Sequence, residues 1–139
     1  MTSHPIVAHL TTQPIASLEE HGIYARWSTV NPRKVSLNYD QYNSAEGHPL
    51  VGACRGLVLR QAGTGSPGEP GRYDILGRPF PRFFNLGSGH APEIDWTTAA
   101  FEEKLDGTLC IVYFDHDLDR WCVATRSVPD ADVPNQDGS

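Results

Sequence analysis

The sequence predicts an α+β domain in which most strands pair antiparallel. At least five segments have the composition of strands, whereas only one or two short segments suit a helix. The chain shows no internal repeat and no heptad pattern. With 139 residues, of which 39% are apolar and 20% charged, it can form one small domain or a piece of a larger one.

The turn residues in the first third of the chain predict one helix and two strands. Residues 1–12 show no clear periodicity and are expected to form a loose lead-in. A short helix is predicted between Pro14 and Gly22, because proline favours the start of a helix and glycine its end. Strands at Tyr24–Thr29 and Lys34–Tyr39 are separated by the turn signal Asn31-Pro32.

The middle of the chain contributes two further strands around a flexible connection. Cys54–Arg60 has an apolar centre flanked by arginines, as expected of a strand. Residues 63–71 are rich in Gly, Pro and Ser, but they lack the Gly-Lys-Ser/Thr ending of a phosphate-binding P-loop. Asp74–Phe84 is predicted as a strand with prolines at its edges. Because Phe83 and Phe84 alternate across such a strand, one of them is expected in the core.

The last part of the chain is predicted to form a hairpin followed by an unpacked tail. Trp96–Glu103 could begin as a short helix or continue directly into a strand. Thr108–Phe114 and Arg120–Thr125 are rich in Val, Thr, Tyr and Trp and predict a hairpin. Its turn starts like a calcium loop, but arginines replace the required Gly and Glu, so no metal site is predicted. After Pro129 the chain is polar, acidic and expected to be unpacked.

The charge of the chain is unevenly distributed. The net charge of −6 argues against a general nucleic-acid coat protein. Residues 1–92 contain 8 basic and 6 acidic side chains (+2), whereas residues 93–139 contain 3 and 11 (−8). One short span holds five arginines, which predicts either a surface suited to phosphates or an ordinary solvated face. These arginines are Arg55, Arg60, Arg72, Arg78 and Arg82.

The cysteines and the hydropathy of the chain predict a cytoplasmic protein without a membrane segment. No apolar run approaches membrane-spanning length, and the N-terminus does not have the pattern of a signal peptide. Cys54, Cys110 and Cys122 lack metal-type spacing. Cys110 and Cys122 could face each other across the hairpin, but reduced thiols in the core are the better interpretation.

Lys104 is the candidate nucleophile. It lies in Glu103-Lys104-Leu105-Asp106-Gly107-Thr108 and is one of two lysines among 11 basic residues. A lysine amine can lose its proton and attack an electrophile, whereas the guanidinium of arginine stays protonated. On this segment alone, a solvated lysine beside an Asp-Gly turn explains the pattern as well.

The preceding segments give this motif its context. Cys-Arg-Gly-Leu-Val begins at Cys54, and Arg-Pro-Phe-Pro-Arg-Phe-Phe-Asn-Leu-Gly begins at Arg78. With Lys104-Leu-Asp-Gly-Thr and Thr125-Arg-Ser, these segments resemble the ATP-dependent RNA ligases of the phage tRNA-repair type. The resemblance covers residues 35–128 and implies the front part of a nucleotidyltransferase domain, preceded by a lead-in (1–34) and followed by a polar tail (129–139).

The resemblance implies a chemistry and a set of site residues. In this family the motif lysine attacks the α-phosphorus of ATP with Mg²⁺, and the resulting lysyl-AMP passes AMP to an RNA 5′-phosphate before a 3′-hydroxyl seals the strand. The resemblance implies that Arg55 and Arg82 contact the triphosphate and that Phe84 supports the nucleotide pocket. Asp106 and Gly107 would form the bend beside the nucleotide, and Thr108 would bond a phosphate or hold that bend.

Two further positions align less uniquely. Arg126 matches a basic residue of the family, although Ser127 stands in place of the usual glycine. Tyr39 lies near a nucleotide-contacting tyrosine of the family, but Leu37 aligns about as well.

Family members also extend well beyond this length and supply later glutamates and lysines. The alternatives are therefore a non-catalytic nucleotide-binding remnant, one half of a split ligase completed by a partner chain, or another lysine nucleotidyltransferase such as a DNA ligase or a capping enzyme.

Overall fold

The fold combines a four-stranded antiparallel sheet with a separate hairpin. The computed structural model describes residues 3–134. Its elements are α1 (Pro5–Leu10), a 3-10 helix (Ile15–His21), β1 (Ile23–Trp27), β2 (Lys34–Tyr39), α2 (Pro49–Gly52), β3 (Arg55–Gln61), β4 (Tyr73–Gly77), β5 (Ile111–Asp115) and β6 (Arg120–Ala124). The sheet has the order β1-β2-β3-β4, and β5 pairs with β6. The α+β class with antiparallel pairing is confirmed.

The predicted loose lead-in at residues 1–12 is wrong over the part that the structure describes. Pro5 begins α1, and Ile6 and Leu10 are both fully buried on one face of this helix. They join the core between the helices and the sheet. A helix of six residues is too short to show a clear periodicity in the sequence. Among residues 3–134, no helix has the length and apolar content needed to cross a membrane.

β3 is covered on both faces, which explains its continuous apolar run. Leu57 and Leu59 are fully buried in the core beneath α1 and the 3-10 helix. Val58, between them, points to the opposite face and packs in a second core with Ile111 and Tyr113 of the hairpin. The hairpin therefore lies against the far side of the sheet from the helices.

The chain between β4 and β5 contains less regular structure than predicted. The strand expected at Asp74–Phe84 ends at Gly77, because Pro79 and Pro81 cannot donate ladder hydrogen bonds. Trp96–Glu103 forms neither a helix nor a strand beyond a turn at residues 96–98. The hairpin begins at Ile111, three residues later than the predicted Thr108.

A completely buried lysine joins three parts of the fold. Lys34 Nζ, on β2, lies 3.0 Å from Asp115 Oδ2 and 2.9 Å from Asp130 Oδ1. Burial opposes the charged form, but hydrogen bonds with Tyr113, Asp130 and Asp115 raise the pKa of Lys34 above its ordinary 10.5. The ammonium group therefore links the sheet to the end of β5 and to the segment after β6.

The same cluster shows that the expectation of an unpacked tail after Pro129 is wrong for residues 130–134. Asp130 is buried and accepts hydrogen bonds from Ser28 Oγ and the Thr29 N–H, both at 3.0 Å. Asp132 accepts a hydrogen bond from Arg120 Nη1 at 2.6 Å. The acidic residues of this segment thus have upstream partners. Residues 135–139, the rest of the predicted tail, lie outside the described residues.

The three cysteines are free thiols in two different environments. Cys54 and Cys122 are buried, as expected, but Cys110 is exposed, so its assignment to the core is wrong. Cys122 pairs with Tyr113 across the hairpin, and Cys110 precedes β5, so the two cysteines do not face each other.

In the native protein at neutral pH, iodoacetamide should alkylate Cys110 rapidly and the other two thiols slowly. Burial raises the pKa of both the Cys54 and the Cys122 thiols, which leaves little reactive thiolate. Mass spectrometry of proteolytic peptides measures the three rates, and unfolding in urea should equalise them. Rapid native labelling of Cys122 would contradict the packing of the hairpin.

Candidate functional site

Three arginines from distant parts of the chain surround two adjoining cavities. One cavity, of about 310 Å³, is lined by Arg55, Gly107, Thr108 and Arg126 among others. The other, of about 280 Å³, is lined by Arg82 as well as by Arg55 and Arg126. Because the cavities share two arginines, we treat them as one trough. The segments that resemble a nucleotidyltransferase therefore converge in space.

Gly56 allows the segment that carries Arg126 to approach β3. Gly56 has φ +84°, and a Cβ built there would lie 2.9 Å from Arg126 Cα. A side chain at this position would thus be both strained and in collision with backbone. Arg126 Nε donates to Asn38 Oδ1 at 3.0 Å, and its Nη2 donates to the Tyr39 carbonyl oxygen at 3.4 Å.

Arg82 is held by contacts with the loop before α2 and with the last residue of that helix. Its side chain is only 7% exposed, and its Nη1 donates to Ser44 Oγ at 3.1 Å. Its backbone N–H donates to the Gly52 carbonyl oxygen at 2.9 Å. Glu46 Oε1 lies 3.5 Å from Nη2. The segment after β4 is irregular, but its second arginine is nevertheless fixed in place.

Aromatic rings lie beneath all three guanidinium groups. Arg82 and Arg126 lie 4.6 and 4.7 Å from the centre of the Tyr39 ring, and Arg82 lies 5.5 Å from that of Phe84. Arg55 lies 4.9 Å from the Phe83 ring. These distances are those of cation–π contacts. The expectation that Phe83 or Phe84 belongs to the core is wrong, because Phe83 is 73% exposed and Phe84 lines the trough.

The trough is suited to an anion. Among the described residues that line it, three are arginines and one is a carboxylate, that of Glu46. Ser88 Oγ also lines the trough and is buried without a hydrogen-bond partner among the described residues. Guanidinium groups and a free hydroxyl donor match the oxygens of a phosphate group.

Lys104 lies outside the trough. Its side chain is 91% exposed, and its Nζ is 3.8 Å from Asp106 Oδ1. Every residue from 92 to 110 is exposed, so few packing contacts hold this segment in one place. Gly107 and Thr108, a few residues further on, do line the trough, and Gly107 has φ +141°, which favours glycine.

The structure therefore brings most of the predicted site residues together, but not all. Those that line the trough are Tyr39, Arg55, Arg82, Phe84, Gly107, Thr108 and Arg126. Lys104 and Asp106 do not line it. Sequence reasoning missed Asn38 and Ser88, and the only signal for Ser88 was the turn Gly87-Ser88-Gly89. It favoured Tyr39 and Leu37 about equally, whereas Leu37 is fully buried in the core and Tyr39 contacts the arginines.

The described residues do not fit a resident metal ion. Within residues 3–134, no three His, Cys, Asp or Glu side chains are grouped as ligands of a metal. The acidic side chains closest to the buried lysine are satisfied by that lysine and by hydrogen bonds.

Comparison with known proteins gives one distant relative. The chain is 30% identical over 87 residues to an inferred bifunctional polynucleotide kinase/RNA ligase of Autographa californica nuclear polyhedrosis virus. This match covers 55% of the chain and 11% of the viral protein, so the chain spans a small part of its relative's length. No protein-family model matches the chain, and no solved structure matches it. The sequence and its similarity thus support a distant relationship to RNA ligases.

Proposed function

We propose that this chain is an RNA ligase-like nucleotidyltransferase domain that binds ATP in the trough and takes AMP onto Lys104. The observation that carries the proposal is the convergence of Arg55, Arg82 and Arg126 on one trough that Gly107 and Thr108 of the lysine motif also line. Sequence similarity to part of an inferred viral polynucleotide kinase/RNA ligase supports the same class of reaction.

In the first step, the lone pair of Lys104 Nζ attacks the α-phosphorus of ATP. The bond from this phosphorus to the bridging oxygen of the β-phosphate breaks, pyrophosphate leaves, and the amine gives its proton to water. Arg55 and Arg126 would stabilise the negative charge on the phosphate oxygens. The buried Tyr39 ring packs against Arg82 and Arg126 and holds these two guanidinium groups at the trough, and Phe84 offers an aromatic surface for the purine.

In the following steps, AMP is transferred to RNA and then released. A 5′-phosphate oxygen of RNA attacks the phosphorus of lysyl-AMP, which breaks the P–N bond and restores the lysine. A 3′-hydroxyl then attacks the activated 5′-phosphorus, forms the phosphodiester and expels AMP. Mg²⁺ would enter with the phosphates of ATP, because no ligand cluster for it is found among residues 3–134.

The proposal requires the Lys104 segment to move toward the trough when ATP binds. The movement would begin at Gly107, which has the backbone freedom of glycine and adjoins the trough. Because residues 92–106 are exposed throughout, moving them would sacrifice little buried apolar surface. The negative charge of the triphosphate would attract the lysine ammonium group until proton loss makes it a nucleophile.

A second candidate is a nucleotide-binding chain that does not react on its own, either as a remnant or as one half of a split ligase. The exposure of Lys104 favours this candidate, because its amine does not contact the arginines. Both candidates share the trough as the nucleotide site. They differ in whether a covalent bond to AMP forms without a partner chain.

Incubation with α-³²P-labelled ATP and Mg²⁺ should place acid-labile label on the wild-type chain and none on Lys104→Arg. The arginine keeps the positive charge but cannot act as the nucleophile. Arg55→Gln should lower labelling by about two orders of magnitude, since it removes a donor to developing charge. Arg72→Gln replaces an exposed arginine that does not line the trough, so it is the matched control and should label normally.

The outcome distinguishes the candidates. Label that persists in Lys104→Arg would overturn the assignment of the nucleophile. Absence of label in the wild type, combined with ATP binding that Arg55→Gln weakens, would establish the non-reacting candidate. Absence of both labelling and ATP binding would reject the trough as a nucleotide site.

A further inference from the structure

A third cavity adjoins the trough on the side of Leu109 and Ile111. It has a volume of about 370 Å³ and shares Leu109 and Ile111 with the cavity that Arg55 and Arg126 line. We call it the side groove. Its remaining lining comes from Arg78–Pro81 and from Cys110 and Val112. A ligand chain with a phosphate in the trough could thus extend directly into the side groove.

The side groove presents one aromatic ring and one cation to solvent. Phe80 is 70% exposed and lies between Pro79 and Pro81, whose rings restrict the backbone on both sides. Arg78 is exposed, and no carboxylate of the described residues lies within ion-pair distance of it. An exposed ring on a stiff segment beside an unpaired arginine is unexplained by the packing of the fold.

We propose that the side groove holds a nucleotide of single-stranded RNA next to the phosphate that reacts in the trough. This proposal rests on the proposed function, because it takes the trough as the reaction centre. The Phe80 ring would stack on an unpaired base, and Arg78 would bind the phosphate that joins this nucleotide to the next. Stacking on aromatic side chains combined with arginine contacts to the backbone is how proteins bind single strands.

A single strand fits this surface better than a duplex does. Bases in a duplex are already stacked on each other and cannot be covered by a protruding ring. The one ring and one cation of the side groove also match one nucleotide, with its base and its phosphate.

The affinity for a 3′-fluorescent, 5′-phosphorylated single-stranded oligoribonucleotide should distinguish the stacking contact of Phe80 from the phosphate contact of Arg78. Phe80→Ala should weaken binding by about tenfold, since the base would lose the ring on which it stacks. Phe80→Trp should retain affinity, whereas Phe80→Leu should lose nearly as much as Phe80→Ala. Arg78→Gln should reduce the slope of log affinity against log salt by about 0.7, the value for one phosphate contact to a single strand.

Matched variants elsewhere control for general losses of charge and aromatic surface. Arg72→Gln removes an exposed arginine, and Tyr24→Ala removes a ring that is 51% exposed on β1. Both should bind the oligonucleotide as the wild type does. Cys110 provides a second readout within the groove, because the oligonucleotide should slow its alkylation in the wild type and much less so in Phe80→Ala.

The proposal and the proposed function fail in distinguishable ways. Equal affinity and equal salt dependence for the wild type, Phe80→Ala and Arg78→Gln would overturn the side groove as an RNA site, whatever the ATP labelling shows. Affinity that falls equally in Arg72→Gln and Arg78→Gln would also overturn it, because binding would then depend on overall charge. If Phe80→Ala and Arg78→Gln change oligonucleotide binding as expected but ATP labels neither the wild type nor any variant, the RNA site would stand and autonomous catalysis would be rejected.

Discussion

Replacing Lys34 with methionine should lower the free energy of unfolding by about 3–5 kcal/mol, because two carboxylates would lose their buried counter-ion. Lys34 is fully buried, and its Nζ lies within 3.0 Å of both Asp115 and Asp130. Methionine fills a similar volume, so the loss would come from charge rather than from a cavity. Urea unfolding followed by circular dichroism measures the effect.

The triple variant Lys34→Met, Asp115→Asn, Asp130→Asn is the control for this explanation. Removing the whole buried ion cluster is far less costly than removing one partner, so the triple variant should recover much of the lost stability. A loss of under about 1 kcal/mol in Lys34→Met would mean that water reaches the cluster in solution. A triple variant no more stable than Lys34→Met would instead assign the loss to packing.

The difference in free energy of unfolding between the wild type and Lys34→Met should also depend on pH. Burial opposes ionisation of Asp115, but hydrogen bonds from Asn31 and Lys34 lower its pKa below 3.8. The stabilisation of the fold by ionised Asp115 is therefore present above pH 3.8 and is lost as pH falls through the folded pKa. The pKa of Lys34 is raised above 10.5, so its contribution is present below pH 10.5 and is lost as pH rises through the folded pKa. The gap between wild type and Lys34→Met should therefore shrink in acid.

Gly56→Ala should be the most damaging conservative change near the trough. A left-handed backbone costs an alanine about 1–2 kcal/mol, and the new Cβ would lie 2.9 Å from Arg126 Cα, so the Arg126 segment must also shift. We expect a loss of stability of more than about 2 kcal/mol. Because Arg126 would move away from Arg55, ATP binding should weaken as well.

Gly63→Ala separates backbone strain from collision. Gly63 has φ +85°, nearly that of Gly56, but a Cβ there would meet no atom within 4 Å. It should therefore lose only the strain, about 1 kcal/mol, and leave ATP binding unchanged. Equal losses in the two variants would show that Arg126 does not pack against Gly56 as described.

The sequence predicted the antiparallel α+β fold, because strand composition and turn residues are local patterns, and the resemblance of its motifs named most of the residues that line the trough. β2 was located with its correct ends, since alternating side chains and turn residues define it. The Arg-Gly segment at Arg55 was identified by the resemblance, and the structure supplies a physical reason for the glycine. The irregular path after Gly77 was missed, although Pro79 and Pro81 argued against a long strand.

The two lysines show what the sequence alone does not determine. Rarity among many arginines singles out both Lys34 and Lys104, but it does not tell a buried structural ion from a candidate nucleophile. That distinction depends on burial and on partners far along the chain, as with Asp115 and Asp130 at Lys34. The composition and motifs of this protein determined which side chains are candidates for a functional site. Only the tertiary structure decided which of them share one surface, because long-range packing sets those distances.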